Sequence, residues 1–319
     1  MIKKKIIVFF IITICSFGSE NIFFTKENNI FMIKKNIGKI KQITKTNNIS
    51  WGMNRSGNIG AYVEDVIKKD SKYGKIIIIN NKTGNKIDEL KENDCDLINP
   101  IIWKDKVIYL RIKEGEKDIY IYDTKKHKKT RLTYDGVSIY PVINYMREEL
   151  YYQKYDGNKR VWVIMKYNLK KNKKKILLSG KNSYEYPEIS KNGRYMGIEE
   201  RVEDKTYISL YNLETKKMKR ITFLGDERYI NFRDDSKEII YLSKDSIYRY
   251  NIEKELKEKL FSEKINYLNI IVKPQWLNKK EIIYEYRIGV EKWEMRIYNI
   301  ETKKNRKFGE GKIVTLSYF

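Results

Sequence analysis

At 319 residues the chain could hold two or three ordinary domains, and its 41% hydrophobic and 13% aromatic content, dominated by Ile and Tyr, supports a folded body rich in strands. One histidine and two cysteines exclude metal sites of the usual His/Cys type and a disulfide framework. The net charge of +24 does not by itself indicate nucleic acid. Lysine carries most of it, whereas bidentate base and phosphate recognition favours arginine, and no zinc-finger, helix-turn-helix or RNA-recognition signature is present.

The chain opens with a basic start, Met1-Ile2-Lys3-Lys4-Lys5, an apolar run over 6–14, and Cys15-Ser16-Phe17-Gly18. These are the parts of a secretory signal peptide over 1–18, with cleavage after Gly18 and a single domain over 19–319. Nine apolar residues are too few for a helix to span a bilayer, which takes about 20. Cys15 offers a second form, a lipoprotein acylated at that thiol. Either way Cys95 has no intramolecular partner, and it reads as a half-buried thiol in a loop.

Three short strands are predicted next, at 21–25, 29–34 and 39–44. From there the chain repeats. A Tyr-Asn or Tyr-Asp pair ends one strand in most units and marks it at Asn80, Asp123, Asn168, Asn212, Asn251 and Asn299, with a weaker copy at Lys34. Successive gaps are 46, 43, 45, 44, 39 and 48 residues, a period that for strands means the blades of a β-propeller. All four prolines, Pro100, Pro141, Pro187 and Pro274, fall at one place in this repeat, and Ile230 stands where a fifth would be. Runs such as Lys75-Ile76-Ile77-Ile78-Ile79 read as strands buried on both faces, as blade packing requires. The chain ends on 312–319, which alternates like a first strand. One strand from the C-terminus and three from the N-terminus complete a seventh blade, so the fold class is all-β, a seven-bladed propeller of four antiparallel strands per blade closed by both termini. Six blades with an N-terminal appendage is the alternative.

Lysine runs recur between third and fourth strands, at 125–129, 170–175, 216–219 and 303–306, and form a broken basic rim on one face. Such a rim could meet anionic lipid or glycan or simply keep the protein soluble. The loops joining blades, on the opposite face, mix acids with tyrosines. Tyr140, Tyr186 and Tyr229 are the expected partner-binding anchors around the mouth, with Asp135 and Asp226 setting charge preference.

No catalytic, cofactor or metal site is expected. His127 sits in a basic hairpin with nothing read to orient it. Glu199-Glu200 on a strand point to opposite faces, and Glu148-Glu149 and Asp234-Asp235 read as surface turns. No phosphate loop or nucleophile elbow appears.

The turns after first strands read Asn54-Arg55-Ser56-Gly57-Asn58, Ser190-Lys191-Asn192-Gly193-Arg194 and Arg233-Asp234-Asp235-Ser236-Lys237. Blades end in Lys41-Gln42-Ile43-Thr44, Thr130-Arg131-Leu132-Thr133 and Lys219-Arg220-Ile221-Thr222. In this the chain resembles the TolB-like propellers over about residues 21–319. The resemblance implies an exported, non-enzymatic scaffold, monomeric, whose mouth binds an envelope protein or lipoprotein. The chain departs from the family in showing seven blades against six, and no α/β domain is read ahead of the propeller. Two other readings stay open: an envelope anchoring protein that binds through its rim, and a propeller-type polysaccharide lyase or hydrolase.

Overall fold

The computed structural model describes residues 21–34, 39–48, 50–68, 71–263, 269–289 and 292–313. The leader read over 1–18, and Cys15 in it, lie outside the described residues.

Twenty-eight strands form seven four-stranded antiparallel sheets, and the described residues contain no helix. Blade 1 is β4 (Ser50–Ser56), β5 (Ile59–Lys68), β6 (Ser71–Asn80) and β7 (Lys86–Leu90). Blade 2 is β8 (Asp96–Trp103), β9 (Lys106–Lys113), β10 (Glu116–Asp123) and β11 (Lys128–Arg131). Blade 3 is β12 (Ser138–Asn144), β13 (Glu149–Asp156), β14 (Val161–Asn168) and β15 (Lys173–Leu178). Blade 4 is β16 (Ser183–Ile189), β17 (Tyr195–Val202), β18 (Lys205–Asn212) and β19 (Met218–Arg220). Blade 5 is β20 (Glu227–Phe232), β21 (Glu238–Ser243), β22 (Ser246–Asn251) and β23 (Leu256–Ser262). Blade 6 is β24 (Asn269–Trp276), β25 (Glu281–Ile288), β26 (Lys292–Asn299) and β27 (Lys304–Glu310).

Blade 7 closes the ring. Its order is β28 (Lys312–Ile313), β1 (Asn21–Lys26), β2 (Asn29–Lys34) and β3 (Ile40–Gln42), so the C-terminal strand is innermost and the N-terminal three follow. Phe24 pairs with Ile313 and Thr25 with Lys312. The seven-bladed reading holds and the six-bladed alternative does not. The rest of the predicted first strand, 314–319, lies outside the described residues.

Each repeat mark is the last residue of a third strand, and the reason is local. The side-chain oxygen of Asn80, Asp123, Asn168, Asn212 or Asn299 accepts N–H bonds from the residues two and three ahead, folding the chain into the next turn. The residue four past each mark then takes positive φ: Gly84, His127, Asn172, Lys216, Glu255 and Lys303. The threonine ending the Arg-Leu-Thr-like elements is equally structural. The Oγ1 atoms of Thr44, Thr133 and Thr222 accept the N–H groups of Ile30, Ile119 and Ile208 at 2.8, 2.9 and 2.7 Å, prolonging the pairing of third and fourth strands.

The core is divided between the blades. Seven buried clusters each draw residues from two neighbouring blades, one cluster per interface around the ring. Ile76, Ile77, Ile78 and Ile79 are all buried because β6 is covered on both faces. Each such side chain stabilises the fold by about 1.5–3 kcal/mol. Fourth strands are the exposed outer edge and first strands meet around the central channel. Antiparallel order then sorts the turns. Those joining strands one to two and three to four emerge on one face, and those joining two to three, with the connections between blades, on the other.

Candidate interaction site at the central channel

The prolines sit inside first strands, at a β-bulge repeated in blades 1 to 6. Two residues of the first strand oppose one of the second: Tyr140 and Pro141 face Tyr152, Tyr186 and Pro187 face Ile198, Tyr229 and Ile230 face Tyr241. Gly52-Met53, Asn99-Pro100 and Lys273-Pro274 occupy the same place against Tyr62, Tyr109 and Tyr284. The leading residue of every pair has positive φ, from 49° to 60°. A bulge is where proline fits a strand, because its missing N–H leaves no gap in the ladder.

This corrects the expected placement of the tyrosines. Tyr140, Tyr186 and Tyr229 do not lie on connecting loops. They lie in β12, β16 and β20, the innermost strands of three consecutive blades, at the bulge. The reason is register: two first-strand residues share one second-strand partner there, which nothing in the local sequence shows. All three are half-buried, and the rings of Tyr140 and Tyr186 meet edge to face at 4.8 Å. Burial and neighbouring acids push all three hydroxyls above the usual phenol range, so they stay protonated and can donate.

The bulges are held by side chains from the preceding blade. Tyr186 donates its N–H to Gln153 Oε1 at 2.8 Å, and Tyr229 donates to Glu199 Oε1 at 2.7 Å. Glu199 is 5% exposed, and burial, only partly opposed by the Tyr229 N–H and Arg228, raises its carboxyl to about 8. Glu185 is buried and pushed up by that burial, against the pull of Arg201, whose Nε lies 3.4 Å from it. Lys273 is likewise buried, which lowers it, and stands 3.7 Å from Glu285. Arg228, beside Tyr229, is exposed. Sequence reading missed Glu199, Gln153 and Glu285. Their only signal was their place in a second strand, and what they touch belongs to the next blade.

Asp135 and Asp226 do lie in the connections between blades, and each is tied to its own surroundings. Asp135 accepts from Ser138 Oγ at 2.7 Å and pairs with Lys154 at 3.1 Å. Burial raises Asp135, but these bonds and the Val137 N–H outweigh it and leave the carboxyl below its usual range. Asp226 accepts from Ser243 Oγ at 2.7 Å.

Three smaller readings are also corrected. His127 is oriented after all: its Nδ1 lies 3.1 Å from Asp88 and 3.0 Å from the Tyr122 hydroxyl, because the hairpin abuts the fourth strand of blade 1. Glu149 begins β13 rather than a turn, and is buried with Tyr151 and Lys166. Cys95 is fully rather than half buried, in the core between blades 1 and 2. Glu199 and Glu200 do face opposite ways, Glu200 binding Ser209, Asn182 and Arg220 within its blade. Among the described residues no three His, Cys, Asp or Glu side chains are grouped so as to hold a metal.

No family model and no curated protein matches this chain by sequence. Solved structures do match by shape. TolB from Acinetobacter baumannii superposes with a TM-score of 0.52 at 14% identity, over 78% of this chain and 68% of that one. The chain shares the propeller fold of TolB. A prolyl endopeptidase gives a TM-score of 0.65 at 12% identity over 82% of this chain, which spans only 43% of that enzyme. An oligogalacturonate lyase in complex with manganese gives 0.57 at 11% identity, over 82% of this chain and 74% of the lyase. At these identities the likeness is one of fold: TolB stands beside enzymes on the same scaffold, and the activity must be argued from the channel.

Proposed function

We propose that this protein is an exported, non-catalytic interaction scaffold of the cell envelope, which grips a protein or lipoprotein at the tyrosine-lined mouth of its channel. The observation that carries the reading is the triplet of tyrosines at one bulge position in three consecutive blades. Half-buried and protonated, with Tyr186 braced by Gln153 and Tyr229 by Glu199, they offer rigid contact area with polar tips, and exposed Arg228 adds a charge. Asp135 and Asp226 shape the connections beside them. The leader over 1–18 supplies export, Cys15 allowing a lipidated form. The fold shared with TolB is consistent with an envelope role without requiring it.

The test is affinity capture from a detergent extract of the cell's own envelope, at low and raised salt. The wild-type chain should retain one envelope protein at both salts. A variant with Tyr140→Ala, Tyr186→Ala and Tyr229→Ala should retain none of it while keeping its β-sheet circular dichroism. Undiminished retention by a folded triple variant would sink the mouth as the binding site.

A further inference from the structure

The +24 charge of the chain is not spread evenly over the ring. In blades 1 to 6 the six residues that follow each third-strand mark carry formal charges of +2, +4, +4, +1, 0 and +1, so this one set of hairpin turns holds half of the total. On the other face, the turns between second and third strands at 27–28, 114–115, 157–160, 203–204 and 244–245 carry −1, −1, +2, −2 and 0, a total of −2. A lysine-rich composition acting alone would load both faces.

A second observation concerns the apolar residues on the basic face. Ile40, Ile87, Met218 and Leu256 stand at the start of fourth strands, and Met146 stands in a first-to-second turn on the same face. Their exposures run from 39% to 63%; the other face exposes apolar residues too, at Ile67, Tyr134, Phe223 and Leu224, so it is the charge that tells the two faces apart. Several lysines between them, Lys126, Lys128, Lys171, Lys173, Lys174 and Lys217, are exposed and make no ion pair among the described residues, while Lys125 and Lys170 are held by Asp105 and Glu148.

We propose that this face lies on an anionic lipid bilayer and holds the other face away from the membrane. Lysines suit lipid head groups as compact point charges, and exposed Ile, Leu and Met side chains suit the boundary between head groups and acyl chains. A site for nucleic acid or for planar anionic groups would favour arginine forks and have no use for the apolar residues. The inference concerns the face opposite the connections and stands whether or not the mouth binds a protein.

The test is co-sedimentation of the full chain with phosphatidylcholine vesicles, with and without phosphatidylglycerol. Three forms are compared: wild type, a rim variant with Lys126→Gln, Lys128→Gln, Lys171→Gln, Lys173→Gln, Lys174→Gln and Lys217→Gln, and a control. The control removes the same charge from the other face, with Lys45→Gln, Lys91→Gln, Lys113→Gln, Lys159→Gln, Lys181→Gln and Lys244→Gln. Each lysine near the surface is worth about fivefold in partitioning, so the rim variant should lose at least about a hundredfold on anionic vesicles while the control changes far less. Binding should also fall as salt rises and the Debye length shrinks from about 30 to about 8 Å. Equal loss in both variants, no dependence on phosphatidylglycerol, or salt-insensitive binding such as the apolar run at 6–14 alone would give overturns the proposal. So does capture by a soluble polyanion with none by vesicles.

Discussion

Glu199 is a buried acid whose carboxyl oxygen completes a backbone bond in the next blade, a task Gln153 performs as an amide one blade earlier. Its protonation therefore bears on stability. In the unfolded chain a glutamate titrates near about 4.3, whereas burial holds this one at about 8. As pH rises between these values the unfolded state releases its proton first, so this residue's contribution to stability falls across that window. Glu199→Gln keeps the acceptor and removes the titration. Melting temperatures of the two proteins should diverge in favour of the variant as pH climbs from about 5 to 8, and parallel curves would show that Glu199 is already ionised. None of this was legible in the residue itself. Glu199-Glu200 reads only as a strand pair pointing to opposite faces until the neighbouring strand is in place, whereas the Asn and Asp at the repeat marks were legible because their bonds reach only two or three residues ahead.

The bulge is the element on which the mouth is built, and it brings a row of buried tyrosines with it. The second-strand residue opposite each bulge is Tyr62, Tyr109, Tyr152, Tyr241 or Tyr284, with Ile198 in blade 4. The hydroxyls of Tyr109, Tyr152 and Tyr241 have no hydrogen-bond partner among the described residues, while Tyr284 donates to Glu263 at 2.6 Å. The two kinds should respond oppositely to loss of the hydroxyl. Tyr152→Phe should leave stability unchanged or raise it by up to about 1–2 kcal/mol, and Tyr284→Phe should lower it by about 1 kcal/mol, in urea unfolding of each variant. A destabilised Tyr152→Phe protein would reveal a partner for that hydroxyl. At this scale the sequence showed that the prolines share a place but not what the place is. Only the register against β5, β9, β13, β17, β21 and β25 shows a strand with one residue too many.

For the whole molecule, the blade count and the sorting of turns onto two faces were legible, because both follow from a period and from antiparallel order. The joining of β28 to β1 was legible too, as leftover strands at the two ends. A chain ending at Glu310 should therefore keep six complete blades and leave β1 as an open edge. Size-exclusion chromatography should show it self-associating with a lowered melting temperature, and a monomer as stable as wild type would mean that β28 is dispensable.

The same closure orders events in time. Phe24 pairs with Ile313 and Thr25 with Lys312, the longest-range strand pairing among the described residues, and β28 follows every other described strand in the chain. β1 to β3 precede the other blades in the chain and wait, with one edge unpaired, until those blades exist. Loop-closure entropy and a high contact order make that final docking slow. A protein built this way is most vulnerable to mispairing while the rest of it is still being made, and it becomes a ring only in its last step.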